Sequence, residues 1–342
     1  MKKYLFLVSV AALTFSSCSD QSTEFVGDSV AKQAREISFS PVARPTTRTA
    51  ADTYQYAIDG PTFPTDLNMY VAAYQVAPTA TNYFAGTQFT YSGSSNILNG
   101  ATKRYWPLSP AYINFLAYAN VTGTANFNAT NYASGAVISQ SDNSSAQTDL
   151  MYAIGNGAVT KSGNDLTFPA ANVPMEFKHA QGWIDFYVKA YSDVETAITV
   201  NSITLKGAKY AGTYTITHTN YNADSDQEVS GAWSGLAAAK DAAVPGWNAT
   251  ALTTSLVEVS HGLMVCPDDD DATNDWTSFV INYTVDSKTY DFEYLAPAAP
   301  DANVDQAKHY VYNITFKLHE ILVAATVADW TDVTATNVTV DE

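Results

Sequence analysis

Apolar and polar residues alternate with a period of two along several stretches of this sequence, and this pattern constrains the fold most. Ile184, Phe186 and Val188 alternate with Asp, Tyr and Lys residues, and residues 310–318 continue in the same way. Successive side chains of a strand point to opposite faces, so this spacing predicts half-buried β-strands. The same pattern is found in residues 198–205, 278–285, 290–294 and 321–327.

The composition also favours strands and turns over helices. The chain has 22 Tyr and 15 Phe, and only 15% of its residues are charged. Residues 234–243 form the one stretch whose Ala and Leu content resembles a helix. An all-β fold of sandwiches is therefore expected. Turn-forming residues occur at Ser92–Asn96, Ser141–Ser145, Asn156-Gly157 and Ser162–Asn164.

The length of 342 residues allows two domains. We see no short-period repeat, which argues against a solenoid or propeller. A loop-rich stretch over residues 156–172 suggests a division near residue 173. The prediction is one β-sandwich over residues 49–172 and a second over residues 173–342.

The N-terminus has the pattern of an export signal. Lys2-Lys3, an apolar run from Tyr4 to Leu13 and small residues lead into Cys18. Residues 1–17 are predicted to be a signal peptide, with Cys18 as the lipid-modified first residue of a lipoprotein. An ordinary signal peptide with a chance cysteine remains an alternative. A transmembrane helix would need about 20 apolar residues, more than this run has.

Charge and cysteine content narrow the class further. The formal net charge is −17 with only 17 Lys and Arg, which argues against nucleic acid or anionic lipid as a partner. If Cys18 carries lipid, Cys266 has no cysteine partner. Cys266 ends an apolar run that begins at Leu263, so we expect a buried structural thiol there.

The segment at residues 18–48 links the predicted anchor to the first sandwich. It contains one strand-like stretch with Ile37, Phe39 and Val42, followed by Arg44 and Arg48 in a polar region. Such regions are where proteases cut. Pro45 protects the bond after Arg44, so the bond between Arg48 and Thr49 is the better cleavage site. A flexible linker with two solvated arginines is the alternative.

Several motifs, in this order, resemble the fimbrillins, which are lipoprotein subunits of type V (Mfa-like) pili. The resemblance covers nearly the whole chain and implies two transthyretin-like β-sandwiches in tandem. Besides the leader and Arg48, its carriers are residues 104–109, 113–118, 148–153, 175–180, 310–314 and 327–330.

The resemblance also implies a route of assembly. An Arg-specific surface protease would cut after Arg48 and remove the leader strand with its lipid (palmitate or another acyl chain) from an outer-membrane precursor. The C-terminal strand of another fimbrillin subunit would then fill the open groove, giving a head-to-tail extracellular fimbria that serves cell adhesion. The donor strand would comprise Ile321, Val323, Ala325, Val327 and Trp330, and extend towards Val340.

Other functions have weaker support in the sequence. Common catalytic and nucleotide-binding motifs are missing, a hidden glycosidase carboxylate pair is not favoured, and we predict no enzyme and no cofactor. His179 is most simply a packing residue. Residues 268–271 with Asp275 form a solvated acidic turn or, less simply, a calcium site. The functional alternative to a pilin is a non-polymerising surface lipoprotein of the same fold that binds a glycan or host protein.

Overall fold

The structure is a computed structural model in which the described residues form strands, turns and irregular segments. Among these residues there is no helix, and thus none that could cross a membrane. The predicted all-β class is confirmed. The described residues are 35–42, 68–91, 98–100, 102–119, 123–128, 132–145, 147–169, 172–192, 197–223, 227–247, 249–259, 262–268, 274–298, 303–317 and 321–329.

The strands are numbered in chain order. The first eleven are β1 (Phe39–Val42), β2 (Asn68–Ala77), β3 (Thr81–Tyr91), β4 (Leu98–Gly100), β5 (Ala111–Ala119), β6 (Gly123–Phe127), β7 (Gly135–Gln140), β8 (Met151–Ser162), β9 (Asp165–Thr167), β10 (Val173–His179) and β11 (Gly182–Ala190). The others are β12 (Ile198–Ala208), β13 (Gly212–Thr219), β14 (Glu228–Ser234), β15 (Lys240–Ala243), β16 (Thr250–Ala251), β17 (Val257–Glu258), β18 (Leu263–Val265), β19 (Ser278–Val285), β20 (Lys288–Leu295), β21 (Lys308–Phe316) and β22 (Ile321–Asp329).

The largest sheet closes on itself. Its strands run in the order β10-β1-β4-β3-β2-β5-β8-β9, and β10 also pairs with β8, so seven strands form a ring. Every pairing in this ring is antiparallel except that between β1 and β10. Alternate side chains of the ring strands point inwards and fill it with a core that includes Ile37, Phe39, Phe89, Phe115 and Met175.

Three further sheets complete the described part of the molecule. The sheet β14-β13-β7-β6 packs against the outside of the ring over β2, β5 and β8, burying Tyr118, Tyr152 and Trp233. The sheets β17-β11-β21-β22 and β15-β12-β19-β20 enclose another core, which contains Phe186, Trp276 and Phe279. This arrangement agrees with the expected β-sandwich class.

The alternating segments named from the sequence are strands, as predicted. Two local predictions are wrong. Residues 234–243 contain the end of β14 and all of β15 instead of a helix. Asn156-Gly157 lies within β8 instead of in a turn, because β8 pairs with β5 along that stretch. The stretch 156–172 therefore holds strand residues of β8 and β9 and is less loop-rich than its composition indicates.

Strand pairing crosses the predicted division at residue 173. β10 pairs with β1 and β8, and β13 pairs with β7. Strands from the second half of the chain thus complete two sheets that begin in the first half. The division into sandwiches at residues 49–172 and 173–342 stays a prediction.

Candidate functional site

The candidate site is the position of β1 in the ring, between β10 and β4. Phe39 aligns with Val173 and Val42 with Glu176 in the parallel pairing with β10. On its other side, β1 aligns with β4 through Phe39 and Leu98, the one aligned pair among the described residues. Within the ring, β1 is therefore the strand that connects β4 with β10.

Side chains of β1 and of the residues just before it reach the centre of the ring core. Ile37 and Phe39 are both completely buried. The Phe39 ring meets Phe89 edge-on at a centroid distance of 4.7 Å and Phe115 at 5.1 Å. Full burial of one such side chain contributes about 1.5–3 kcal/mol, and each edge-to-face pair adds about 0.5–1.5 kcal/mol. Two alternating apolar residues thus anchor β1.

The residues before β1 are held by backbone hydrogen bonds. The Ile37 amide donates to the Arg104 carbonyl at 2.7 Å, and the Trp106 amide donates to the Arg35 carbonyl at 2.9 Å. The Val173 amide donates to the Ser38 carbonyl at 2.9 Å. Trp106 belongs to the ring core, and the centroid of its ring lies 5.9 Å from that of Phe115.

Polar side chains add further contacts at this end of the ring. The Ser38 hydroxyl donates to Asn172 Oδ1, and Lys103 Nζ lies 2.9 Å from Glu36 Oε2. Arg104 contacts β3 of the ring, since its Nε donates a hydrogen bond to Thr87 Oγ1 at 3.0 Å. The hydrogen bond of Glu36 raises the pKa of Lys103.

Removal of β1 would leave three uncovered features. The edge of β10 from Val173 to Glu176 would lose its parallel partner. β4, which is three residues long, would keep only its pairing with β3. The slot between Phe89 and Phe115 would open to solvent. An unpaired edge beside an apolar slot is a template for adding another strand.

The structure thus locates part of the predicted leader strand in the ring. Ile37 and Phe39 face the core, and Val42 pairs through its backbone with Glu176. The predicted lipid site Cys18, the cleavage residues Arg48 and Thr49, and the donor residue Trp330 lie outside the described residues.

The predicted donor strand corresponds largely to β22, which is paired within its own sheet. β22 runs antiparallel to β21 from Ile321, opposite Phe316, to Asp329, opposite Lys308. Ile321, Val323 and Ala325 pack on the core beneath this sheet, whereas Val327 is 55% exposed.

Other residues singled out in the sequence have structural contacts. Cys266 is buried, as predicted, and burial raises the pKa of its thiol. His179 is buried with Nδ1 2.7 Å from Asp149 Oδ2, a side-chain contact that the sequence did not reveal because the partner lies 30 residues away. Lys209 pairs with Asp268.

The possible calcium site is only partly described, because residues 269–271 lie outside the described ranges. Asp275 accepts hydrogen bonds from the amides of Asp268 and Val304 at 2.8 and 2.7 Å, so it links two loops. Burial raises the pKa of Asp275. Across the described part of the chain, no group of three or more His, Cys, Asp or Glu residues is arranged to hold a metal ion.

β10, the strand that forms one wall of the groove occupied by β1, was not predicted as a functional element. Residues 175–180 carry part of the family resemblance, but pairing of β10 with β1 depends on closure of the ring, which local patterns do not encode. Gly155 of β8 permits the close approach of β10, because a Cβ there would lie 2.6 Å from Met175 Sδ and 2.9 Å from the Pro174 carbonyl oxygen.

The ring is thus closed by β1, a short strand that pairs with β4 on one side and with β10 on the other. The chain belongs to the fimbrillin-like family, whose family model matches residues 50–330. The family consists of fimbrial surface proteins, which places this chain among structural subunits at the cell surface. Comparison with curated proteins gives no match.

Solved structures agree on the fold. A fimbrial protein from Bacteroides vulgatus is 14% identical, with a TM-score of 0.52, and the match covers 86% of this chain and 99% of that one. A candidate cell adhesion protein from Bacteroides ovatus is also 14% identical, with a TM-score of 0.51 and coverage of 87% and 98%. At these identities the similarity concerns the fold alone.

Proposed function

We propose that the chain is a fimbrial subunit that polymerises by strand exchange at the β1 position. It is exported as a lipoprotein acylated at Cys18 and remains at the outer membrane until an Arg-specific surface protease cuts after Arg48. The β1 strand then leaves with the lipid, and a strand from another subunit takes its place.

The observation that carries this proposal is that β1 does not pair with β2, the described strand that follows it, but with strands that lie further along the chain. β1 pairs with β4 and β10, whereas β2, the next strand among the described residues, pairs with β3 and β5. Arg48 lies between Val42 and Asn68, the residues that bound this connection. After a cut there, β1 is held by non-covalent contacts alone. The family match begins at residue 50, just after the proposed cut.

The geometry of the slot specifies the incoming strand. It must run parallel to β10 and offer two apolar side chains at alternate positions, as Ile37 and Phe39 do. Within the predicted donor region we place the inserting part beyond Asp329, because donation of β22 itself would break its pairing with β21. Val338 and Val340 have the required spacing. Repeated head-to-tail insertion does not close and gives a filament.

Processing is tested by changing the cleavage residue. Arg48→Ala should leave a full-length surface lipoprotein and abolish polymer, whereas the matched Arg44→Ala variant should be processed normally because Pro45 already protects that bond. The measurements are the N-terminal residue of the sheared surface fraction and electron microscopy of fimbriae. Thr49 at the N-terminus is expected for the unchanged chain. Normal fimbriae from Arg48→Ala cells would refute the mechanism.

Donation is tested separately with Val338→Asp and Val340→Asp in one chain. Charged side chains cannot enter the apolar slot without a large desolvation cost, so this variant should be cut at Arg48 but remain monomeric. Asp341→Asn, which lies next to the same segment, serves as the control and should polymerise. If the chain with both changes still polymerises, the donor strand lies elsewhere. If, instead, the unchanged chain forms no polymer and Cys18 proves to be its only N-terminus, an anchored lipoprotein that binds a glycan or host protein becomes the better account.

A further inference from the structure

The outer face of the sheet β14-β13-β7-β6 has an unusual composition for a surface on an acidic protein. On β13, Thr213, Thr215, Thr217 and Thr219 point away from the core, since the intervening residues are buried. Cross-strand registers place small neutral residues beside them. We call this surface the threonine face, and its members are Thr124, Asn126, Val137, Ser139, Thr213, Thr215, Thr217, Thr219, Glu228, Ser230, Ala232 and Ser234.

The threonine face carries less charge than the outer face of the sheet β15-β12-β19-β20. The chain has a formal net charge of −17, yet Glu228 is the only charged member of the threonine face and lies at its end. By contrast, the outer face of the sheet β15-β12-β19-β20 carries Lys206, Asp291 and Glu293. Two copies with a net negative charge repel each other, and the repulsion is weaker where two nearly uncharged threonine faces meet than where two charged faces meet.

The side chains suit packing against a flat partner. Threonine is β-branched and has few rotamers, so its burial costs little conformational entropy. Val137, near the middle of the face, is 47% exposed and supplies an apolar contact. The edge strand β6 contains no charged residue, although charges on edge strands commonly prevent association.

We propose that the threonine face is a lateral contact between two copies of this chain, packed face to face. Strand spacings of about 4.8 Å and a rise of about 3.4 Å per residue give the face roughly 400 Å² per copy. A contact of about 800 Å² in total is weak by itself. Many such contacts between neighbouring filaments would act together through multivalency.

The contact between two copies is compatible with strand exchange and does not require it, whereas its multivalent strengthening between filaments rests on the proposed function. The sheet that bears the threonine face covers β2, β5 and β8, whereas β1 lies between β4 and β10 on the other side of the ring. A copy could therefore receive a donor strand and make the lateral contact at the same time.

The test uses full chain carrying Cys18→Ser and Arg48→Ala, so that neither acylation nor processing intervenes. Thr215→Glu places a negative charge at the centre of the threonine face, and Thr289→Glu places the same charge on the outer face of β20. The osmotic second virial coefficient, measured by static light scattering at physiological ionic strength, reports weak self-association for both variants. The association constant derived from this coefficient should fall at least about tenfold more for Thr215→Glu than for Thr289→Glu.

The most stringent test mixes variants that carry opposite charges at position 215. An equimolar mixture of Thr215→Glu and Thr215→Lys chains should restore the association that each variant alone has lost, because the two charges then face each other. Ser230→Glu on the edge strand β14 replaces Thr215→Glu if that variant unfolds at a lower temperature. Equal coefficients for the two glutamate variants, or no recovery in the mixture, would overturn the proposal and leave another occupant, such as a polysaccharide.

Discussion

Two strands of this molecule occupy similar positions but differ in how firmly they are held. β1 lies parallel to β10 over four aligned pairs, and β11 lies parallel to β21 over eight. On its other edge β1 has one aligned pair with β4 within the described ranges, whereas β11 pairs with both β17 and β18. The same parallel arrangement thus occurs once with a short strand and once with a long central strand.

The side chains of the two strands do not account for this difference. Phe39 of β1 and Phe186 of β11 are each fully buried, and each contacts two other aromatic rings. What differs is the amount of backbone pairing and the chain connection, since β11 continues from β10 through two residues. A strand can therefore be well packed and still be separable if few backbone pairs and one cleavable connection hold it.

The largest expected effect comes from truncating these two phenylalanines. Phe39→Ala and Phe186→Ala should each lower the free energy of unfolding of the uncleaved chain by about 3–5 kcal/mol, because both leave a cavity among buried rings. In processed, polymerised protein only Phe186→Ala should still lower the stability, because Phe39 has left with β1. Urea unfolding of uncleaved chain and thermal unfolding of fimbriae measure the two states. A persistent effect of Phe39→Ala in the fimbria would mean that β1 stays in place.

A smaller effect is expected from adding a methyl group beside each strand. A Cβ at Gly182 of β11 would lie 2.1 Å from Val304 Cγ1, and one at Gly155 would meet the β10 wall of the groove. Each Gly→Ala change should cost about 1–3 kcal/mol through overpacking. Only Gly155→Ala should also speed the release of the residue 18–48 fragment after cleavage, which size-exclusion chromatography can follow. Equal release from both variants would show that β10 does not control retention of β1.

The hydrogen bond from Ser38 to Asn172 should contribute less again. Ser38→Ala is expected to lower the free energy of unfolding of the uncleaved chain by about 1 kcal/mol. Asn172→Ala removes the same bond, so the double variant should cost less than the sum of the two single changes. Additive costs in urea unfolding would show that the two side chains act independently.

Local sequence patterns predicted strands in the regions of β1 and β11, but not which strands would pair with one another. The alternation at Ile184, Phe186 and Val188 and the short run at Ile37 and Phe39 were sufficient to predict strands there. Ring closure by β10, and the pairing of β13 with β7, depend on contacts between distant residues. The pair Asn156-Gly157 suggested a turn, but Gly157 lies in a strand, where the absence of a side chain makes room for the Trp106 ring. A Cβ at this position would lie 2.3 Å from that ring.

The smallest effect is expected at the ion pair between Lys103 and Glu36, which lies beside β1 at the surface. Lys103 is 64% exposed, so solvent screens the attraction and ordering of the long side chain opposes it. Lys103→Ala should leave both the unfolding midpoint of the uncleaved chain and the release of the leader fragment unchanged within error. Raising the salt concentration should be equally without effect on release. Salt-dependent release would show that charge, rather than the buried Ile37 and Phe39, retains β1, and would contradict the explanation given above for its separability.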